Sequence, residues 1–176
     1  MFKSFLKLLL YESIMMMVLT IAACIAVLIQ MLFGVKTGTD SSFFFSSTYY
    51  DYNLLMNKAK EASKTSYSPF SKFAVGAAVL AKSGAVYTGC NVENSSFGLT
   101  ICAERCAIFK AISEGEREIL AVAIFSPNED DCFPCGACRQ VMYEFQGENE
   151  IEIITDNNSN LNIRKMSDFL PFGFKI

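Results

Sequence analysis

Any fold this chain adopts must bring Cys102, in Cys102-Ala103-Glu104, to the cysteine pair in Pro134-Cys135-Gly136-Ala137-Cys138, whose first thiol lies 33 residues further on. Three thiolates hold a zinc ion and leave its fourth position to water. A carboxylate two residues after the first ligand can lie beside that water without binding the metal. Such a set suits hydrolysis, because a structural zinc site closes the fourth position with protein. The chain contains no histidine. Zinc must therefore rely on sulfur and carboxylate, and nucleophiles activated by an imidazole base are excluded.

Both ligand sets fall at the starts of predicted helices, where free N–H groups and the helix dipole favour thiolate over thiol. The Cys-x-x-Cys spacing turns both sulfurs towards one metal, and Pro134 fixes the approach of the chain. Three thiolates give the zinc centre a net negative charge, so something must withdraw charge from sulfur. Arg105 and Arg139 each adjoin the ligands, and one or both are expected to donate hydrogen bonds to them, Arg105 being favoured. A closed four-cysteine site remains open, with Cys106 or Cys132 as the fourth ligand. The wide spacing fits such a site loosely, and a structural site has no need of Glu104.

The element order follows from periodicity. Tyr52 to Thr65 reads as a helix capped by Asp51, with Leu54, Leu55, Ala59 and Ala62 on its apolar face. Phe73 to Ala81 and Ala85 to Asn91 are strand-like around the Lys82-Ser83-Gly84 turn. Ile101 to Glu114 is a helix stopped by Gly115. Ile119 to Phe125, apolar on both faces, suits a strand in the middle of a sheet. Gly136 to Phe145 is helix, Ile151 to Thr155 strand, Asp156 to Asn160 a turn and Leu161 to Lys165 an edge strand. This order predicts an α/β fold, a mixed sheet with helices on both faces.

The 176 residues leave room for one domain and an extension, and the 52% hydrophobic content is unevenly spread. Ser13 to Val35 carries no charge over 23 residues. As a helix it would rise about 35 Å, enough to cross a hydrocarbon core of roughly 30 Å. Its length favours one membrane anchor over a cleaved signal, whose apolar region is shorter. The expected organisation is a hydrophobic segment at 1–36, a linker at 37–48 and a catalytic domain at 49–176. Lys3 and Lys7 weakly favour a cytoplasmic N-terminus with the domain outside. The seven cysteines argue instead for a reducing, cytoplasmic setting for the domain. The thiol chemistry is given precedence. From Thr37 onward 12 Lys and Arg meet 17 Asp and Glu. No basic stripe is present to grip nucleic acid, and a neutral small molecule suits this surface better.

From Tyr67 to Phe174 the chain closely resembles the small homotetrameric cytidine deaminases. The resemblance rests on YSPFSKFAVGAAVLAKSG, GCNVENSSFGLTICAERCAIFKAISEG, SPNEDDCFPCGACRQVMYEF and FLPFGF. It implies a three-layer α/β/α fold with a five-stranded mixed sheet, and one zinc per subunit held by Cys102, Cys135 and Cys138. Glu104 would then move protons during hydrolytic attack at C4 of cytosine, giving uridine or deoxyuridine and ammonia in pyrimidine salvage. It further implies that Asn91 and Glu93 bond the ribose, that Phe73 stacks on the pyrimidine, and that the Ala103 backbone and the Pro134 carbonyl read the base edge. Phe174 would reach a neighbouring subunit's site in a homotetramer. Without the resemblance, Asn91 and Glu93 read as turn or strand-end residues and Phe73 as core. Phe70 and Phe97 stand where relatives commonly carry Tyr, which predicts weaker binding or assembly with the chemistry kept. Two alternatives remain: a deaminase of another aminated heterocycle, such as blasticidin S, and a non-catalytic zinc module tethered to a membrane.

Overall fold

Alternating apolar segments and helical stripes give three layers. A computed structural model describes residues 50–176, which form one compact unit. The hydrophobic segment, its expected membrane span at 13–35 and the linker lie outside the described residues. Among the described residues, no helix is long and apolar enough to cross a membrane.

The elements run α1 (Tyr52–Ser63), β1 (Gly76–Ala81), β2 (Val86–Cys90), a 3-10 turn (Phe97–Leu99), α2 (Ala103–Ser113), β3 (Ile119–Phe125), α3 (Gly136–Phe145), β4 (Glu152–Asn157), β5 (Asn160–Lys165) and α4 (Met166–Phe169). The sheet order is β2-β1-β3-β4-β5. Only β3 and β4 are parallel; the other neighbours are antiparallel. The all-apolar β3 is the central strand, as its sequence predicts, and β5 is an edge. Gly84 (φ 89°) allows the tight β1–β2 hairpin, where the Ala81 amide donates to Ala85. Asn158 and Ser159, both at positive φ, join β4 to β5 in two residues.

Each sheet face has its own core. Leu55, Met56 and Ala59 of α1 pack on Ala78, Leu80, Ala121, Ala123 and Ile154. The opposite face joins Val79, Val122, Ile124 and Ile153 to Ala107, Ile108 and Ala111 of α2 and Met142 of α3. A bulge opposite Leu80 and Ala81 shifts the β3 register, so Ile119 and Ala121 serve different faces despite their even spacing.

The buried stripe of α1 differs from the expected one. Leu55, Met56, Ala59 and Ser63 face inward, while Leu54 is 49% exposed. Spacings of one, four and eight residues from Leu55 make a tighter helical stripe. Ser63 was masked as a core position by its polarity, yet its hydroxyl is satisfied by the Lys60 carbonyl at 2.7 Å.

Candidate metal centre

The register places the ends of β2 and β3 at one end of the sheet, because Gly76 pairs with both Cys90 and Phe125. The segments leaving those strands lead to α2 and α3, which bring their N-termini together beyond the same end. Cys102 is the N-cap of α2 and Cys135 the N-cap of α3. Neither uses its side chain to cap its helix, so both sulfurs stay available. Cys138 follows in the first turn of α3.

The Cys102, Cys135 and Cys138 sulfurs lie within 4.8 Å of one another. Cys102 Sγ is 3.8 Å from Cys135 Sγ, and Cys135 Sγ is 3.5 Å from Cys138 Sγ. Tetrahedral zinc with bonds of about 2.3 Å separates its sulfurs by about 3.8 Å, so the donor set fits that ion. Neither Cys106 nor Cys132 joins the group, which removes the support for a closed four-cysteine site. Cys106 is half-buried, and burial raises both its pKa and that of Cys132, the latter to about 12.

Charge is distributed unevenly between Cys102 and Cys138. Hydrogen bonding from the Cys138 thiol, then from Arg105 and Cys135, holds Cys102 down at about 5. The same bond to Cys102, together with burial, pushes Cys138 upward. Arg105 Nη2 donates to Cys102 Sγ at 3.4 Å and to the Thr100 carbonyl at 3.4 Å. The expectation of thiolate bonding does not extend to Arg139, whose guanidinium bonds the Pro134 and Phe169 carbonyls instead. Glu104, one residue inside α2, is only 4% exposed. Desolvation lifts its carboxyl to about 7, and the negative charge at Cys102 adds to the rise.

The remaining candidates surround this centre unequally. Residues 91–93 run between Tyr67 and Ile101, joined by main-chain hydrogen bonds to both, and so adjoin the start of the Cys102 segment. Asn91 Oδ1 accepts from Ser66 Oγ at 2.5 Å and from the Val75 amide at 2.8 Å, and its Nδ2 donates to the Phe73 carbonyl at 2.8 Å. Glu93 accepts the Phe70 amide at 2.8 Å and the Ser71 amide at 3.2 Å. Hydrogen bonding from Ser71 keeps its carboxyl below the ordinary value. Both residues thus brace the loop that carries half-buried Phe73, a role the sequence did not signal. Ala103 is fully buried at the start of α2. Phe174 lies on the C-terminal segment and is 67% exposed, and its carbonyl accepts from Gln140 at 3.1 Å. The Phe70 and Phe97 rings meet edge to face, with centroids 5.6 Å apart.

A cluster of three cysteines at two helix starts, with a protonatable glutamate buried beside it, defines a zinc site of the hydrolytic class. The family description "Cytidine and deoxycytidylate deaminase zinc-binding region" matches residues 50–153. The cytidine deaminase of Sporosarcina psychrophila is 42% identical over 124 residues, spanning 70% of this chain and 91% of the relative. That of Mycobacterium tuberculosis is 44% identical over 125 residues, spanning 70% and 90%. The 1.6 Å crystal structure of cytidine deaminase from Burkholderia pseudomallei superposes with a TM-score of 0.66 at 40% identity, covering 71% of this chain and all of that one. The chain belongs to the cytidine deaminase family.

Proposed function

We propose that the chain hydrolyses the 4-amino group of cytidine and deoxycytidine, producing uridine or deoxyuridine and ammonia. The observation that carries this reading is Glu104, buried and near neutrality beside a three-sulfur cluster. When bound by Cys102, Cys135 and Cys138, zinc supplies the Lewis acidity that makes water nucleophilic at neutral pH. Glu104 takes a proton from the attacking water and passes it to N3 of the pyrimidine, then carries the remaining hydroxyl proton to the 4-amino group, which leaves as ammonia as the C4 carbonyl forms. A carboxyl poised near 7 can both accept and return a proton under these conditions. Arg105 draws charge from Cys102 and so limits the electron density that sulfur gives to the metal.

Substrate contacts extend the proposal. Asn91 keeps one Nδ2 hydrogen free of its loop contacts, and Glu93 keeps unused lone pairs, so both can bond the ribose. Phe73 stacks on the base, the Ala103 amide and the Pro134 carbonyl read its edge, and Phe174 reaches the site of a neighbouring copy in a homotetramer. The catalytic domain comprises residues 49–176 and works in pyrimidine salvage on the cytoplasmic side, with residues 13–35 as membrane anchor.

Incubating the zinc-replete chain separately with cytidine, deoxycytidine and blasticidin S tests the substrate class. Both nucleosides should lose absorbance near the cytidine maximum with equimolar ammonia release, and a chelator should stop the reaction. Turnover of blasticidin S alone would shift the assignment to another heterocycle. A zinc-loaded chain inert to all three would leave only the non-catalytic module.

A further inference from the structure

Of the three sulfur ligands, Cys138 is buried, Cys102 is half-buried and Cys135 is exposed. Packing therefore constrains Cys135 least. Its side-chain direction depends on the peptide leading into it, whose carbonyl belongs to Pro134. That carbonyl accepts from Arg139 Nε at 2.8 Å. The other end of the same guanidinium is anchored to α4, with Nη1 donating to the Phe169 carbonyl at 3.3 Å and Cζ lying 5.5 Å from the Phe169 ring centroid. Phe169 in turn packs on Phe133 at 5.5 Å between centroids, and Phe133 immediately precedes Pro134. Arg164 covers Phe133, its Cζ 5.5 Å from that centroid. Phe133, Phe169, Arg139 and Pro134 thus close a ring of contacts around the turn that presents Cys135.

We propose that Arg139 is a positioning residue for the metal centre: by fixing the Pro134–Cys135 peptide against Phe169, it holds the exposed sulfur in its coordinating direction. The proposal rests on reading the three cysteines as the zinc site. A planar guanidinium suits this task because its rigid fork bonds two carbonyls in fixed directions beside a ring, a geometry that the point charge of an ammonium does not impose. The side chain of Gln140, the next residue of α3, donates to the Phe174 carbonyl and offers an internal comparison.

Zinc release from the full-length chain to a chromogenic chelator, followed without substrate, provides the test. Arg139→Met should release zinc roughly 10-fold faster or more, the scale expected for losing a group that orients a ligand. Arg139→Lys should fall between Arg139→Met and wild type, and Gln140→Ala should stay within about twofold of wild type, since it frees only the tail. Release from Arg139→Met at the wild-type rate, or equal acceleration by Gln140→Ala, overturns the proposal. If circular dichroism shows Arg139→Met unfolded, Arg139→Lys decides, and a wild-type rate there overturns it. A chain that retains zinc but leaves cytidine untouched defeats the deaminase reading alone, because the release comparison does not depend on turnover.

Discussion

In the proposed reaction Glu104 is ionised to take a proton and protonated to give one, and its burial sets it near the midpoint of that exchange. In Glu104→Gln the amide keeps the volume and loses the exchange. Its deamination rate should fall by about 10³-fold or more while zinc content and circular dichroism stay as in wild type. An unchanged rate, read from cytidine absorbance, would remove Glu104 from the chemistry. The same burial has a cost in the metal-free protein. The carboxyl titrates at about 7 when folded against 4.5 as the reference value. Below pH 4.5 it is protonated in both states and contributes nothing. Between 4.5 and 7 the unfolded chain ionises first, so stability declines as pH rises, by about 3 kcal/mol once both states are ionised. Chemical denaturation of zinc-free wild type should show this decline over that window relative to zinc-free Glu104→Gln. Parallel pH profiles would contradict it.

The helix that carries Cys102 and Glu104 is seated directly on β2. A Cβ built at Gly89 would approach the Ala107 amide nitrogen to 2.6 Å and the Ala103 carbonyl to 2.7 Å, both main-chain atoms that cannot rotate aside. Gly89→Ala should therefore push α2 outward, lowering stability by about 1–3 kcal/mol and accelerating zinc loss, measurable by denaturation and chelator competition. Stability and zinc retention equal to wild type would mean that α2 is seated less closely. How much of this could be read in advance varies by element. Ile119–Phe125 and Gly136–Phe145 are legible because one is a continuous apolar run and the other starts at a Pro-Cys-Gly boundary. The gathering of Cys102, Cys135 and Cys138 at two helix starts is legible from residue type and spacing. The Phe97–Leu99 and Met166–Phe169 turns are too short for periodicity to register, and the β3 bulge leaves no mark in an all-apolar strand. The loop-bracing bonds of Asn91 and Glu93 and the bond of Arg139 to the Phe169 carbonyl join distant segments, so no local pattern could announce them.

Across the described residues, the exposed apolar side chains include Phe97 at 74% exposure and Leu99 at 71%, with Phe172 and Phe174 on the C-terminal segment. Burying such rings between copies is consistent with the proposed homotetramer, in which one copy's tail completes another's site. Sedimentation should then show a tetramer, and Phe174→Ser should raise KM for cytidine more than it lowers kcat. A monomer of full activity would confine the site to one chain. The deamination chemistry presupposes that the two helix starts deliver three sulfurs and leave one coordination position open. X-ray absorption at the zinc edge measures that arrangement directly. Three sulfur neighbours at about 2.3 Å and one oxygen or nitrogen neighbour are expected, whereas four sulfur neighbours would contradict the account.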